Sequence, residues 1–209
     1  MENFWSEILV QVQSLAVLDF LGLVFGLLNV LLLIRQNIYT WPAGIIYVLI
    51  SLLLFWQIQL YGDFLLHLVF LVLNIYGWWF WIHGKKKGND ELEVSSFGLL
   101  PNLMLLALSS LGTWGLGLFL ENIHEIWPNL EQASVPYWDA TTSALRITGV
   151  WLMARKKIEN WYYWFTVDVL ACGIYFYKGI YFYSLLYGVY VVLAIAGYLE
   201  WRKSLSQSK

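Results

Sequence analysis

The sequence predicts an all-α integral membrane protein: seven transmembrane helices in two parallel three-helix repeats joined by a linker helix. Three observations lead there. The 209 residues are 60% hydrophobic and only 12% charged, where an ordinary soluble domain is about 25% charged. Seven apolar segments follow one another with short polar links. Lys and Arg gather at alternate links, and the chain repeats itself at a shift of 120 residues.

Composition narrows the function classes. The 12 Lys and Arg nearly balance the 14 Asp and Glu, so no net charge points to nucleic acid. A single cysteine, Cys172, excludes an internal disulfide and any cysteine-based metal cluster. His83 and His124 fall on opposite sides of the membrane, so they cannot join His67 in a metal site. There is no phosphate loop and no nucleophile elbow. No enzyme, cofactor or metal is expected. Aromatic residues reach 19%, more than interfacial belts alone require.

A bilayer core of about 30 Å needs roughly 20 apolar residues per helix. The segments that meet this are 16–34, 40–59, 64–82, 98–119, 137–154, 160–177 and 180–200. The longest links, 83–97 and 120–136, are too small to fold alone, so 1–209 reads as a single transmembrane domain. Residues 1–14 alternate apolar positions with Glu and Gln, which predicts a short interfacial helix. They lack a basic start and a small-residue cleavage site, so no cleaved signal is expected.

Orientation follows from the cations. Arg35, Lys85, Lys86, Lys87, Arg155, Lys156, Lys157, Arg202, Lys203 and Lys209 fall after odd-numbered spans. Lys178 faces the other side, and Arg146 lies within span five. The positive-inside rule places the N-terminus outside and the C-terminus in the cytoplasm. Glu121, Glu125, Glu131 and Asp139 are then external.

The repeat pairs Asp19 with Asp139, Arg35 with Arg155, Ile38 with Ile158, Trp41 with Trp161, Tyr61 with Tyr181, Gly77 with Gly197 and Trp81 with Trp201. Residues 16–82 form the first repeat, 98–119 the linker helix and 137–201 the second repeat. Three spans plus a linker make span five run in the direction of span one, so the repeats are parallel. This is the three-plus-one-plus-three plan of the small sugar transporters called SWEETs, whose parallel repeats are related by an axis along the membrane normal. Duplicated bundles of this kind are mostly transporters or channels; the competing reading is an old duplication with no transport role.

The richest stretch is Glu159-Asn160-Trp161-Tyr162-Tyr163-Trp164, with Asp168 beyond it. Trp161, Trp164 and Asp168 are spaced three then four, on one helix face. Two indoles beside a carboxylate suit a flat cation. Asp168 lies about 12 Å along the helix from Asn160, deep enough for an ionisable group to signal function. Its bland alternative is a structural pair with Arg146. His67 and Asn74, seven apart on span three, are polar groups that hydrocarbon does not accept unpaired. They read either as ligand contacts or as helix glue. Trp41 is the mate of Trp161, and Gly44 stands where the second repeat has Trp164. Tyr47 and Asn29 are further interior candidates. Trp78, Trp79 and Trp81 read as belt anchors, and Gln57 and Gln59 as residues of an external entrance or of the water-facing surface.

Gln57-Ile58-Gln59-Leu60-Tyr61, Asn74-Ile75-Tyr76-Gly77-Trp78 and Glu159-Asn160-Trp161 followed by Trp164, in this order, resemble the Pnu vitamin transporters. The resemblance covers about 40–82 and 137–201. It implies a bacterial inner-membrane protein, a homotrimer with one path per subunit. It also implies facilitated diffusion of a vitamin that a cytoplasmic kinase traps by phosphorylation. By motif, it makes Trp161, Trp164 and Asn74 ligand contacts. Tyr47, His67 and Asp168 stand where the family's riboside carriers have Asn, Gln and Asn. Nicotinamide riboside is the first expectation and thiamin the alternative, both flat cations; related members move riboflavin or deoxynucleosides.

Overall fold

A computed structural model of the chain describes residues 2–13, 16–57, 61–84, 92–126 and 135–207. Gln59, Lys85, Lys86, Lys87, Glu131 and Lys209 lie outside the described residues. The helices are α1 (Glu2–Gln13), α2 (Val17–Ile34), α3 (Thr40–Gln57), α4 (Tyr61–His83), α5 (Leu99–Glu121), α6 (Ile123–Ile126), α7 (Pro136–Ala154), α8 (Asn160–Tyr177) and α9 (Tyr181–Gln207).

Every segment expected to span is a helix. Five of them, α2, α3, α4, α5 and α9, are long and apolar enough to cross a membrane. The other two long helices, α7 and α8, are the ones that carry Arg146 and Asp168. Boundaries shift where the reasoning relied on charge. Helix α9 continues beyond residue 200, because leaving lipid gives a helix no reason to stop. Its last turns carry the Lys203–Glu200 pair at 3.1 Å.

Neighbour packing closes a ring. Helix α2 packs on α3, α3 on α4, α4 on α7, α7 on α8, α8 on α9, and α9 returns to α2. Helix α5 sits outside this ring against α7. Small groups let it approach: Gly117 lies under the Tyr137 ring, Gly112 faces Ala144, and Ser109 Oγ is 2.9 Å from Thr148 Oγ1. Helix α1 packs on α9. Gln11 accepts from the Phe182 amide at 3.0 Å and donates to the Gly179 carbonyl at 3.2 Å, tying down the α8–α9 turn.

The two halves use the same devices at the same shift. After α2 the Asn37 amide bonds the Leu32 carbonyl and the Gln36 amide bonds Leu33; after α7 Lys157 bonds Leu152 and Lys156 bonds Met153. These are Schellman ends. Their left-handed residues are Gln36 (φ 54°) and Lys156 (φ 48°) where glycine is usual. Each side chain explains its own residue. Gln36 Nε2 donates to Ser204 Oγ at 2.8 Å, and Lys156 Nζ donates to the Leu92 carbonyl at 2.7 Å.

Trp41 lies across Gly77, and Trp161 lies across Gly197, so closely that a Cβ on either glycine would fall within the indole. Trp41 meets Trp81 edge-on at 5.4 Å, and Trp161 meets Trp201 edge-on at 5.6 Å. Trp81 Nε1 donates to the Met153 carbonyl at 3.2 Å, and Trp201 Nε1 donates to the Leu33 carbonyl at 3.0 Å. Each tryptophan thereby crosses from one half to the first helix of the other. Trp81 is not the belt anchor the sequence suggested: it is 6% exposed, in the core. Trp78 and Trp79 are exposed as a belt requires.

The link before α5 is more than a polar tether. The Ser95 amide bonds the Lys156 carbonyl and the Ile158 amide bonds the Ser95 carbonyl, both at 3.0 Å. Val94 is buried behind them. Glu159 Oε1 accepts from Ser96 Oγ at 2.6 Å and from the Phe97 amide at 2.7 Å. Arg155 lies over Phe80, Lys156 over Trp81 and Lys157 over Phe97. The basic cluster is therefore packed against aromatic rings.

The tryptophan–glycine seats give the first test. G77A and G197A must overpack a locked indole, a cost of about 1–3 kcal/mol, and each should lower the thermal midpoint of the purified protein by several degrees. G188A, where a Cβ meets nothing within 4 Å, should leave it unchanged or slightly raised. Equal midpoints for all three would show that the seats do not hold the fold.

Candidate functional site

A cavity of about 170 Å³ opens inside the ring. That is close to the ~150 Å³ engineered cavity that takes up benzene, so it has room for one aromatic ring. Tyr47 lines it from α3.

Six of the eight sequence candidates line this cavity: Trp161, Trp164, Asp168, Asn74, His67 and Tyr47. Trp161 and Trp164 come from the first turns of α8, and their Nε1 atoms are buried with no hydrogen-bond partner. The Nε1 of Trp41, outside the cavity, is buried and unpartnered in the same way, so these donors reflect how tightly the indoles are packed. Asp168 follows one turn deeper on the same face. His67 is fixed by its Nδ1, 2.8 Å from the Asp63 carbonyl, and by Phe55 and Phe70 at ring distances of 4.7 and 5.3 Å. The carbonyl contact requires the proton on Nδ1 and leaves Nε2 as an acceptor. Asn74 Nδ2 donates to the Phe70 carbonyl at 2.8 Å, which uses one of its two N–H groups.

The other two candidates lie elsewhere. Trp41 is fully buried between Gly77 and Trp81 and does not line the cavity. Asn160 is fully buried at the start of α8, and its Nδ2 donates to the Lys157 carbonyl at 2.6 Å. It shapes the α7–α8 turn in the place that Thr40 holds before α3, where Thr40 Oγ1 donates to the Asn29 carbonyl at 2.9 Å.

Asn29, Arg146, Tyr187 and Tyr190 complete the polar lining. The two tyrosines escaped the sequence reading. Tyr183, Tyr187 and Tyr190 recur at four then three residues, the signature of one helix face, but the aromatic surplus hid them. Tyr175 stacks on Tyr183 and Tyr187 at 5.5 and 5.4 Å, and Tyr187 meets Tyr190 at 5.9 Å. Among the described residues, Arg146 and Asp168 make no ion pair within 4.0 Å. The structural pair considered from sequence is not formed.

Eighteen of the twenty lining residues form nine pairs 120 positions apart. They are Gly26/Arg146, Val30/Val150, Leu33/Met153, Gly44/Trp164, Tyr47/Val167, Val48/Asp168, His67/Tyr187, Phe70/Tyr190 and Asn74/Ala194. Only the valines are identical. The packing contacts recur in both halves, while the lining has diverged at almost every position. Space is exchanged within the pairs. Gly44 makes room for Asn29 and Asn74, whereas Trp164 in the other half lies against Gly149. The result is one wall of amides and one of indoles.

A ring of six helices around an internal cavity, four of them long and apolar enough to cross a membrane, has the form of a membrane transporter. The chain matches the nicotinamide mononucleotide transporter family over residues 16–203, and it belongs to that family. It is 28% identical to the nicotinamide riboside transporter PnuC of Escherichia coli, across 91% of this chain and 87% of that one. It is 26% identical to the riboflavin/roseoflavin transporter RibM of Streptomyces davaonensis, across 88% and 83%. A crystal structure of the vitamin B3 transporter PnuC has the same fold, with a TM-score of 0.70 at 20% identity over 99% of this chain and 91% of that one.

The two tryptophans should separate by experiment. Trp161 is 2% exposed and seated on Gly197, so W161A should cost about 3–5 kcal/mol. Trp164 is only partly buried, so W164A should lower the unfolding midpoint by much less. Similar losses in thermal scans of the two variants would assign both residues to the scaffold.

Proposed function

We propose that this chain carries nicotinamide riboside across a bacterial inner membrane by facilitated diffusion. The observation that carries the reading is the indole wall. Trp161 and Trp164 line a ring-sized cavity, with Asp168 on the same face of α8. A pyridinium gains cation–π attraction from the indoles and charge from the carboxylate. The amide wall of Asn74 and Asn29, with His67 and Tyr47, supplies hydrogen-bond partners for hydroxyl groups. Trp41 and Asn160 act indirectly, by seating helices. Net uptake by a facilitator then depends on a cytoplasmic kinase that phosphorylates the arriving vitamin.

The same reading includes seven spans in two parallel three-helix repeats, 16–82 and 137–201, about an axis along the membrane normal, with 98–119 as linker. The paired helix ends, tryptophan seats and cavity positions support it. So does the ring, where the third helix of each half meets the first of the other. The N-terminus is external, the C-terminus cytoplasmic, and the assembly a homotrimer with one path per subunit. Thiamin is the second candidate, because its thiazolium is also a flat cation and the indole–carboxylate wall favours either.

Purified protein in liposomes, with neither ATP nor an ion gradient, should equilibrate labelled nicotinamide riboside saturably, and unlabelled thiamin should compete weakly. Uptake that collapses without a gradient would overturn the facilitator mechanism; uptake of thiamin alone would reassign the vitamin. In the same assay W164A should raise the half-saturating concentration about 10-fold or more, the effect of losing one desolvated cation–π contact of about 2 kcal/mol.

A further inference from the structure

Arg146 sits eight residues before the end of α7, and Asp168 sits eight residues after the start of α8. At about 1.5 Å per residue both lie about 12 Å from the turn that joins these helices. They are level in the bilayer, and both line the cavity, yet they form no ion pair within 4.0 Å. The Arg146 guanidinium has five donors. Its hydrogen bond within the chain is one long contact, Nη2 to Tyr187 Oη at 3.4 Å. A neutral phenol at that distance does not offset a cation held at this depth.

The scaffold does not require an arginine there. The equivalent position in the other half is Gly26, where a Cβ would approach Tyr190 Oη at 2.9 Å. The first half thus has no side chain there, and Tyr190 and Tyr47 fill the place where the second half puts a cation. Val48 likewise faces the cavity where the second half has Asp168. Both charges therefore come from one half, and both line the same cavity.

We propose that Arg146 is a specificity-determining ligand contact. It takes a carbonyl or carboxylate oxygen of the bound molecule while Asp168 and the indoles hold its cationic ring. The substrate class is a flat cation with an oxygen acceptor on its ring, and a zwitterion meets both charges best. This rests on the transport reading above and adds to it a second, oppositely charged contact. A guanidinium binds a carboxylate through two parallel, charge-assisted hydrogen bonds. The carboxylate counterpart of nicotinamide riboside should therefore bind at least as tightly as the carboxamide.

The experiment is calorimetric titration of the full chain in nanodiscs with nicotinamide riboside and with nicotinic acid riboside. Wild type, R146Q and R146K are compared, and each variant's unfolding midpoint is recorded. Wild type should bind both, with the acid form equal or tighter. R146Q should weaken the acid form about 10- to 100-fold, the range for losing hydrogen bonds to a charged group, and the carboxamide less. R146K, which keeps the charge and loses the fork, should recover part of the acid form's affinity. Unchanged affinities for both ligands in a folded R146Q would overturn the proposal. If R146Q does not fold, R146K decides: an unchanged ratio of the two affinities would overturn it equally. Wild type that binds neither riboside would refute the riboside reading on which the proposal rests, a result visible without any variant.

Discussion

Trp41 and Trp161 each lie flat across a glycine on another helix, and the rest of the architecture depends on those two seats. Neither glycine could carry even a methyl group without displacing an indole. Each indole then presents its face to a second tryptophan, edge-on. That second tryptophan donates a hydrogen bond to the first helix of the opposite half. One motif thus sets the helix spacing within each half and the junction between halves. In lipid there is little hydrophobic drive to bring helices together, so close packing over small residues and a few buried hydrogen bonds must do it.

A scaffold held at its edges leaves its centre free to vary. The seats and helix ends recur almost unchanged in both halves, whereas eight of the nine paired cavity positions differ. A symmetric cavity would offer the same groups twice and suit a symmetric ligand. The diverged one offers amides on one side and indoles with two opposite charges on the other. The charges are affordable because Arg146 and Asp168 face the cavity rather than hydrocarbon.

Much of this was legible in the sequence. The 120-residue shift exposed the paired tryptophans, and helical spacing put Trp161, Trp164 and Asp168 on one face. Pattern reading stopped where a residue's role depends on the helix opposite. Trp41 and Trp161 look equivalent in sequence, yet only Trp161 reaches the cavity. Trp81 lies beside a basic cluster, as belt residues do, but its indole is drawn inward by the Met153 carbonyl. Tyr187 and Tyr190 were lost among fourteen tyrosines. The segment 92–97 read as a link because its hydrogen bonds go to the distant Lys156–Glu159 turn.

The account's central claim is that the diverged centre of the ring is the ligand site. A structure of the purified protein with nicotinamide riboside bound tests it most directly. The account predicts the pyridinium against Trp161 and Trp164 beside Asp168, its ring substituent toward Arg146, and the sugar among Asn29, Asn74 and His67. A riboside bound elsewhere, with the central cavity empty, would contradict it.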